Sequence, residues 1–154
     1  MRITVVTVTG KRVPWVDAGV ADYLRRFSGR WRVALKEVKA EPRRDAVERM
    51  LLKEKERLLG AIEPPGIYVA LDERGELWST TQLAEKLRDW EQSAGGINFL
   101  IGGPDGFHPT VPAAATARFS LSRLTLAHGM ARLVLAEQLY RAWSVLQGHP
   151  YHRE

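Results

Sequence analysis

Short runs of β-branched residues alternate along this chain with longer stretches in which apolar positions recur at helical spacing. Residues 2–9 (RITVVTVT) predict a buried strand. Gly10 ends it, and Pro14 suits the first turn of a helix running to about Phe27. Val16, Val20, Tyr23, Leu24 and Phe27 would share its inner face. A second strand, 31–38, alternates Trp31, Val33 and Leu35 with charged neighbours. The Pro-containing charged segment 39–46 reads as a loop. An amphipathic helix over about 45–62 follows, with Val47, Met50, Leu51, Leu58 and Ile62 inward.

Pro64-Pro65-Gly66 is the sharpest break and is read as a connection within one domain. Beyond it, IYVALD (67–72) predicts a strand, DERGE a turn, and Ser79-Thr80-Thr81-Gln82 a capping box opening a helix to about Ser93. INFLI (97–101) predicts a third buried strand, leading directly into Gly102-Gly103-Pro104-Asp105-Gly106. A short Ala-rich helix (109–117), a strand (117–122) and a last helix (about 129–147) complete the pattern. Strands apolar on both faces, separated by helices, imply an α/β fold. Its sheet would be mostly parallel and covered by helices on both sides.

Composition narrows the chemistry. The chain has 154 residues, 45% of them hydrophobic, which fits one domain, 1–154, with its own core. With no Cys, disulfides, thiolate metal sites and a cysteine nucleophile are excluded. No apolar run approaches the ~20 residues that cross a bilayer. The N-terminus lacks the pattern of a signal peptide. No membrane association and a cytoplasmic location are therefore expected. Lys+Arg 23 against Asp+Glu 18 gives +5, a balance compatible with a polyanionic partner and equally with simple solubility.

Ligands of open α/β sheets bind outside the carboxyl ends of the strands. The candidate positions are therefore Leu71-Asp72, Gly102-Gly103 and the segment Leu121–Leu126. The glycine segment has neither dinucleotide-binding nor P-loop spacing; it is a tight turn or a place where backbone amides approach a ligand. LSRLTLA (121–127) is a buried loop, or a wall of Leu side chains and main-chain groups for a flat apolar base. The last helix is apolar almost all round, which suggests a subunit interface. Its Glu137 and Arg141 have the spacing of a helix ion pair. The histidines lie at 108, 128, 149 and 152, without metal-ligand spacing, so no metal is expected. The terminal Tyr151, His152 and Arg153 could be a frayed end, or a stacking ring, a base and a phosphate clamp.

RITVVTVTGKR, LDERG, IGGPDG, LSRLTLAHGMAR, EQLYRAW and the terminal HPYHRE together resemble the RlmH family. These are small SPOUT-class methyltransferases of the large ribosomal subunit RNA. The resemblance covers essentially the whole chain. It implies a C-terminal trefoil knot, S-adenosyl-L-methionine as cofactor and a homodimer. The implied reaction is methylation of N3 of a pseudouridine in 23S rRNA of the assembled ribosome.

The implied cofactor site falls on Leu71, Asp72, Gly102, Gly103, Ser122, Arg123, Leu124, Thr125, Leu126 and Ala127. Relatives commonly carry Pro where this chain has Ala127, and often Gly near Lys55. For the chemistry, His152 is the expected general base, with His128 next in line. Arg153 would stabilise the imidate and Tyr151 would orient the target base. Arg12, Arg25, Arg26, Arg30, Arg132, Arg141 and Arg153 are the candidate cations for RNA. Another RNA substrate of the same enzyme class, or a non-catalytic ribosome-binding factor, are the alternatives.

Overall fold

The β-branched runs become strands and the periodic segments become helices, in strict alternation. The computed structural model describes residues 1–44 and 46–153. Its elements are β1 (Arg2–Thr9), α1 (Pro14–Leu24), β2 (Arg32–Lys39), α2 (Val47–Gly60), β3 (Ile67–Leu77) and α3 (Thr80–Ser93). They continue with β4 (Ile97–Ile101), α4 (Thr110–Ala114), β5 (Ala117–Ser120) and α5 (His128–Gln147). The expected start of α2 at Asp45 lies outside the described residues.

One five-stranded sheet has the order β2-β1-β4-β3-β5, and each neighbouring pair is parallel. Every residue of β4 is buried. The pleat divides the strands between two cores. On one side Ile3, Val5, Val69, Ile97 and Phe99 meet Leu83 and Leu87 of α3 and Leu135 and Leu139 of α5. Val16 and Val20 of α1 pack on Ala136 of α5 to complete that layer. On the other side Val6, Val8 and Leu100 meet Leu58 of α2 and Val111 of α4. The parallel sheet covered on both faces is thus as expected.

Several boundaries differ, each for a local reason. Helix α1 stops at Leu24, because the chain must turn at Gly29 (φ 70) to enter β2. Phe27 lies beyond the helix, stacked on Trp31 with its edge contacts on Tyr140 and Trp143. DERGE does not end β3. Leu71 and Glu76 both register with Phe119 of β5, so residues 72–75 form an excursion after which pairing resumes. The Arg74 N–H donates to Asp72 Oδ1 at 3.0 Å and shapes that excursion. A Cβ on Gly75 would stand 2.6 Å from the Arg118 backbone, so the close approach requires glycine. Helix α4 and strand β5 are shorter than expected; Ser120 Oγ donates to the Ser122 carbonyl and turns the chain out of the sheet.

The Ser79 capping box forms as predicted, with Gln82 bonded reciprocally. At the opposite edge of the sheet, Asn98 is 1% exposed. It accepts from the Glu63 N–H at 3.1 Å and donates to the Ile67 carbonyl at 3.1 Å. It thereby pins the connection that carries the chain into β3. Replacing Asn98 with Ala leaves both backbone groups without that partner. The expected cost is ~1–3 kcal/mol, read as a lower denaturant midpoint at unchanged slope.

Candidate active site

Parallel pairing brings the carboxyl ends of β3, β4 and β5 to one edge, where their following segments enclose a cleft of ≈ 680 Å³. Its walls come from the β3 excursion, the glycine turn, the segment after β5 and the first turn of α5. Leu71, Asp72, Gly102, Gly103, Ser122, Leu124, Thr125 and Leu126 all line it. Arg123 and Ala127 belong to the same segment but do not line the cleft.

The glycine turn is closed by the Gly106 N–H donating to the Gly103 carbonyl at 2.9 Å, with Gly106 at φ 77. A Cβ on Gly102 would lie 2.8 Å from the Gly106 backbone. Glycine is therefore required for the fold-back that leaves the cleft open. The segment after β5 is held by a second serine: Ser122 Oγ accepts from the Leu124 N–H at 2.9 Å. This turn presents Leu124, 75% exposed, at the cleft rim. Apolar walls beside polar backbone groups suit a flat heteroaromatic ligand with main-chain recognition.

His128 forms the floor at the start of α5. Its Nε2 and Thr7 Oγ1 are 3.1 Å apart. Burial holds its pKa below the usual histidine value and nearby Arg132 adds to this, while the Val8 and Gly102 carbonyls oppose it. Neutral His128 thus ties α5 to the ends of β1 and β4.

One turn along α5, Arg132 is 2% exposed. Its Nη1 meets Asp17 Oδ1 at 3.3 Å and Glu37 Oε1 at 3.2 Å. Arg12 reaches Glu37 at 2.7 Å from outside. Both arginines therefore serve carboxylates of the fold.

Behind the cleft wall stands a residue that the sequence pattern did not single out. Glu54 of α2 is 6% exposed, accepts from the Glu41 N–H at 3.0 Å and sits behind Gly103. The signal was its position on the Met50, Leu51, Leu58 stripe, where a charged residue marks a buried partner rather than a wet face.

Tyr151, His152 and Arg153 do not line this cleft. Gly148 caps α5 in the left-handed region and sends the chain back along the helix. Tyr151 Oη donates to Glu137 Oε1 at 3.1 Å and lies 3.2 Å from the Tyr23 hydroxyl. Burial, then these two partners, push its pKa up, so the phenol stays protonated. Arg141 packs over the Tyr151 ring at 4.7 Å. The tail is anchored rather than frayed. Its anchors Glu137 and Arg141 lie well along α5, Arg141 ~20 Å by helical rise from His128.

Among the described residues, no group of three or more His, Cys, Asp or Glu could hold a metal. No helix there is long and apolar enough to cross a membrane.

His128 generates a pH prediction. Its folded pKa lies below the unfolded value near 6.5, so its contribution to stability is complete above that pH. As pH falls below it the unfolded chain takes up the proton first and stability is lost. Unfolding midpoints of His128→Gln should decline less than wild type between about pH 7 and 5. Ala127 has φ −58, the value a proline ring imposes. Ala127→Pro should stabilise the chain by ~0.4–1 kcal/mol in the same unfolding assay.

Known proteins similar to this chain bear on what such a cleft serves. The Ribosomal RNA large subunit methyltransferase H of Cupriavidus metallidurans is 44% identical to this chain, over 99% of each. That of Paracidovorax citrulli is 47% identical over 100% of each. In fold, the chain is similar to a probable methylase family protein from Haemophilus influenzae. That likeness has a TM-score of 0.53 at 14% identity, covering 99% of this chain and 70% of the other. The family model described as "Predicted SPOUT methyltransferase" matches residues 1–152, which span every element of the sheet and each wall of the cleft. This chain therefore belongs to the SPOUT methyltransferase family.

Proposed function

We propose that this chain is an S-adenosylmethionine-dependent methyltransferase of bacterial 23S rRNA. It would act on N3 of a pseudouridine in the assembled ribosome, in the cytoplasm, as a homodimer. The observation that carries this reading is 44–47% identity, end to end, to relatives named as large-subunit rRNA methyltransferases. The carboxyl-edge cleft supports the cofactor. Leu71, Leu124 and Leu126 would flank the adenine, while the backbone around Gly102, Gly103 and Ser122–Ala127 would supply hydrogen bonds. Asp72 and Arg123 would lie at the rim. The opening left by the glycine fold-back fits a ligand that approaches the main chain there. When bound, the cofactor supplies a methyl group already activated on a sulfonium. We further propose that the segment from the glycine turn through α5 is threaded as a trefoil knot.

Tyr151, His152 and Arg153 would flank the target base. They lie away from the cleft of their own chain, so a second copy would bring them to it. Apolar surface beside the cleft supports such an interface. Trp15 is 61% exposed, Leu124 75% and Met130 37%. Trp15 and Met130 adjoin the close contact between Val16 and Gly129. Within one chain α1 and α3 cover much of α5, so the proposed interface would be made by the helix's first turn and by the tail at its far end.

The candidate cations also separate. Arg12, Arg132 and Arg141 are engaged with carboxylates, and Arg26 pairs with Asp22 beneath the Tyr23 ring. Arg30 and Arg153 are exposed, as is Arg25, which also reaches Asp22 Oδ1 at 3.5 Å, and these are the arginines proposed to meet phosphate.

Labelled S-adenosylmethionine should methylate ribosomes that lack the modification, with the label mapping to N3 of a pseudouridine. Naked rRNA, separated subunits and tRNA run alongside. Label on tRNA alone would move the substrate elsewhere, and no binding of the cofactor would leave a ribosome-binding factor. The shared site predicts complementation between Gly102→Val and His152→Ala. Each alone should be inactive, whereas a 1:1 mixture that exchanges subunits should regain about a quarter of the wild-type rate. No recovery from demonstrably mixed dimers would refute a site made from both copies.

A further inference from the structure

All five strands end at one edge, so the segments after β1 and β2 stand beside those that wall the cleft. Adjacent strands lie about 4.8 Å apart, which sets the end of β2 about 10 Å from the glycine turn after β4. The backbone here is fixed. The Ala40 N–H donates to the Thr9 carbonyl at 3.3 Å, and the Arg44 N–H to the Pro42 carbonyl at 2.8 Å. Arg57 Nη1 donates to the Lys39 carbonyl at 2.9 Å. Arg43 Nη2 reaches Asp105 Oδ2 at 3.3 Å and ties the loop after β2 to the glycine turn.

The carboxylates on this side of the cleft are engaged. Arg12 and Arg132 hold Asp17 and Glu37. Lys53 and Arg57 hold Glu41. Glu54 is buried, and the exposed Glu48 of α2 lies 4.0 Å from His108. Three cations are left over. Lys11, Lys39 and Arg44 are exposed, and none has an ion-pair partner among the described residues. Asp45, next to Arg44 in the chain, lies outside the described residues. Across the cleft, Arg74, Arg118 and Arg123 stand with Asp72 and Glu73, so the surplus of positive charge there is smaller.

A base that enters the cleft is attached through its sugar to phosphates on both sides, and those phosphates lie at the mouth. Cations at the mouth neutralise them and release condensed counterions. We propose that Lys11, Lys39 and Arg44 form a phosphate track that holds the RNA backbone next to the target nucleotide, on the β1–β2 side of the cleft. The methyltransferase reading above supplies RNA as the partner, and the inference rests on it. Contacts of this kind fix register and orientation and carry no sequence information. The track is separate from Arg25 and Arg30, which precede β2 and so stand at the opposite edge, and from Arg153 on the tail.

Binding to ribosomes that lack the modification, and to an unstructured RNA oligonucleotide, is measured over a salt series. The wild type should bind both with a steep dependence on salt. Each phosphate contact contributes about 0.7–0.9 to the slope of log affinity against log salt. Lys11→Gln, Lys39→Gln and Arg44→Gln combined should therefore flatten the slope by about 2–3 and weaken binding about a hundredfold or more at ~0.1 M salt. The set Lys11→Arg, Lys39→Arg and Arg44→Lys should restore both. Arg88→Gln, on α3, should leave the slope close to wild type. In the transfer assay the triple Gln variant should raise KM for ribosomes far more than it lowers kcat, with cofactor affinity unchanged.

Four results would each overturn the track. The triple Gln variant could keep the wild-type slope. It could lose the slope on ribosomes and keep it on the oligonucleotide, which would make a ribosomal protein the partner. It could sediment as a monomer where the wild type is a dimer, which would place these cations at a subunit contact. The charge-keeping set could bind as weakly as the Gln set, which would assign the side chains to the fold. A wild type that binds RNA steeply and methylates none would instead overturn the methyltransferase reading and leave the track standing.

Discussion

Parallel pairing is the constraint from which the rest follows. Antiparallel neighbours would scatter the loops to both edges of the sheet. Here each strand starts at one edge and ends at the other, because a helix returns the chain every time. The segments after β3, β4 and β5 meet in space although they are far apart in sequence. The two edges have separate duties. The starting edge is knitted by Asn98 and by Arg2, whose guanidinium caps the Glu63 and Pro65 carbonyls. The finishing edge is left for glycine, serine and leucine to shape an opening.

Inside that frame the buried charges act as joints. Arg132 costs desolvation wherever it is placed and is tolerated only because Asp17 and Glu37 converge on it. The three residues join α5, α1 and β2. Glu54 does the same between α2 and the loop before it, through the Glu41 N–H. In both cases a carboxylate or guanidinium fixes register where aliphatic side chains would permit sliding. Both lie close to the cleft, where a small displacement matters most.

Much of this was legible in the residues. β-branched runs and the Ser79 capping box mark elements whose stability is local. The three strand ends could be named because only carboxyl ends can gather in a parallel sheet. What stayed hidden depends on partners far along the chain. DERGE has the composition of a turn, and only Phe119 opposite both Leu71 and Glu76 reveals that the strand resumes. KEKER has the composition of a wet helix face, yet Glu54 lies on the stripe that turns inward. The tail residues were recognisable as chemistry, but no spacing in a sequence shows that Glu137 carries Tyr151 while the cleft lies at the other end of the same helix.

That last helix is a ruler. His128 at its first turn faces the cleft, and Arg141 three turns and more along it carries the tail. No flexible joint intervenes, and Leu135 and Leu139 lock the rod against the sheet. Its length and phase therefore encode the separation and relative bearing of the two stations. One residue inserted between them would rotate the tail by ~100° about the helix axis, and four would leave it ~40° off its bearing and move it out by ~6 Å. A substitution along this helix can keep that spacing. Insertion and deletion cannot, so its spacing is as much a functional parameter as any side chain on it.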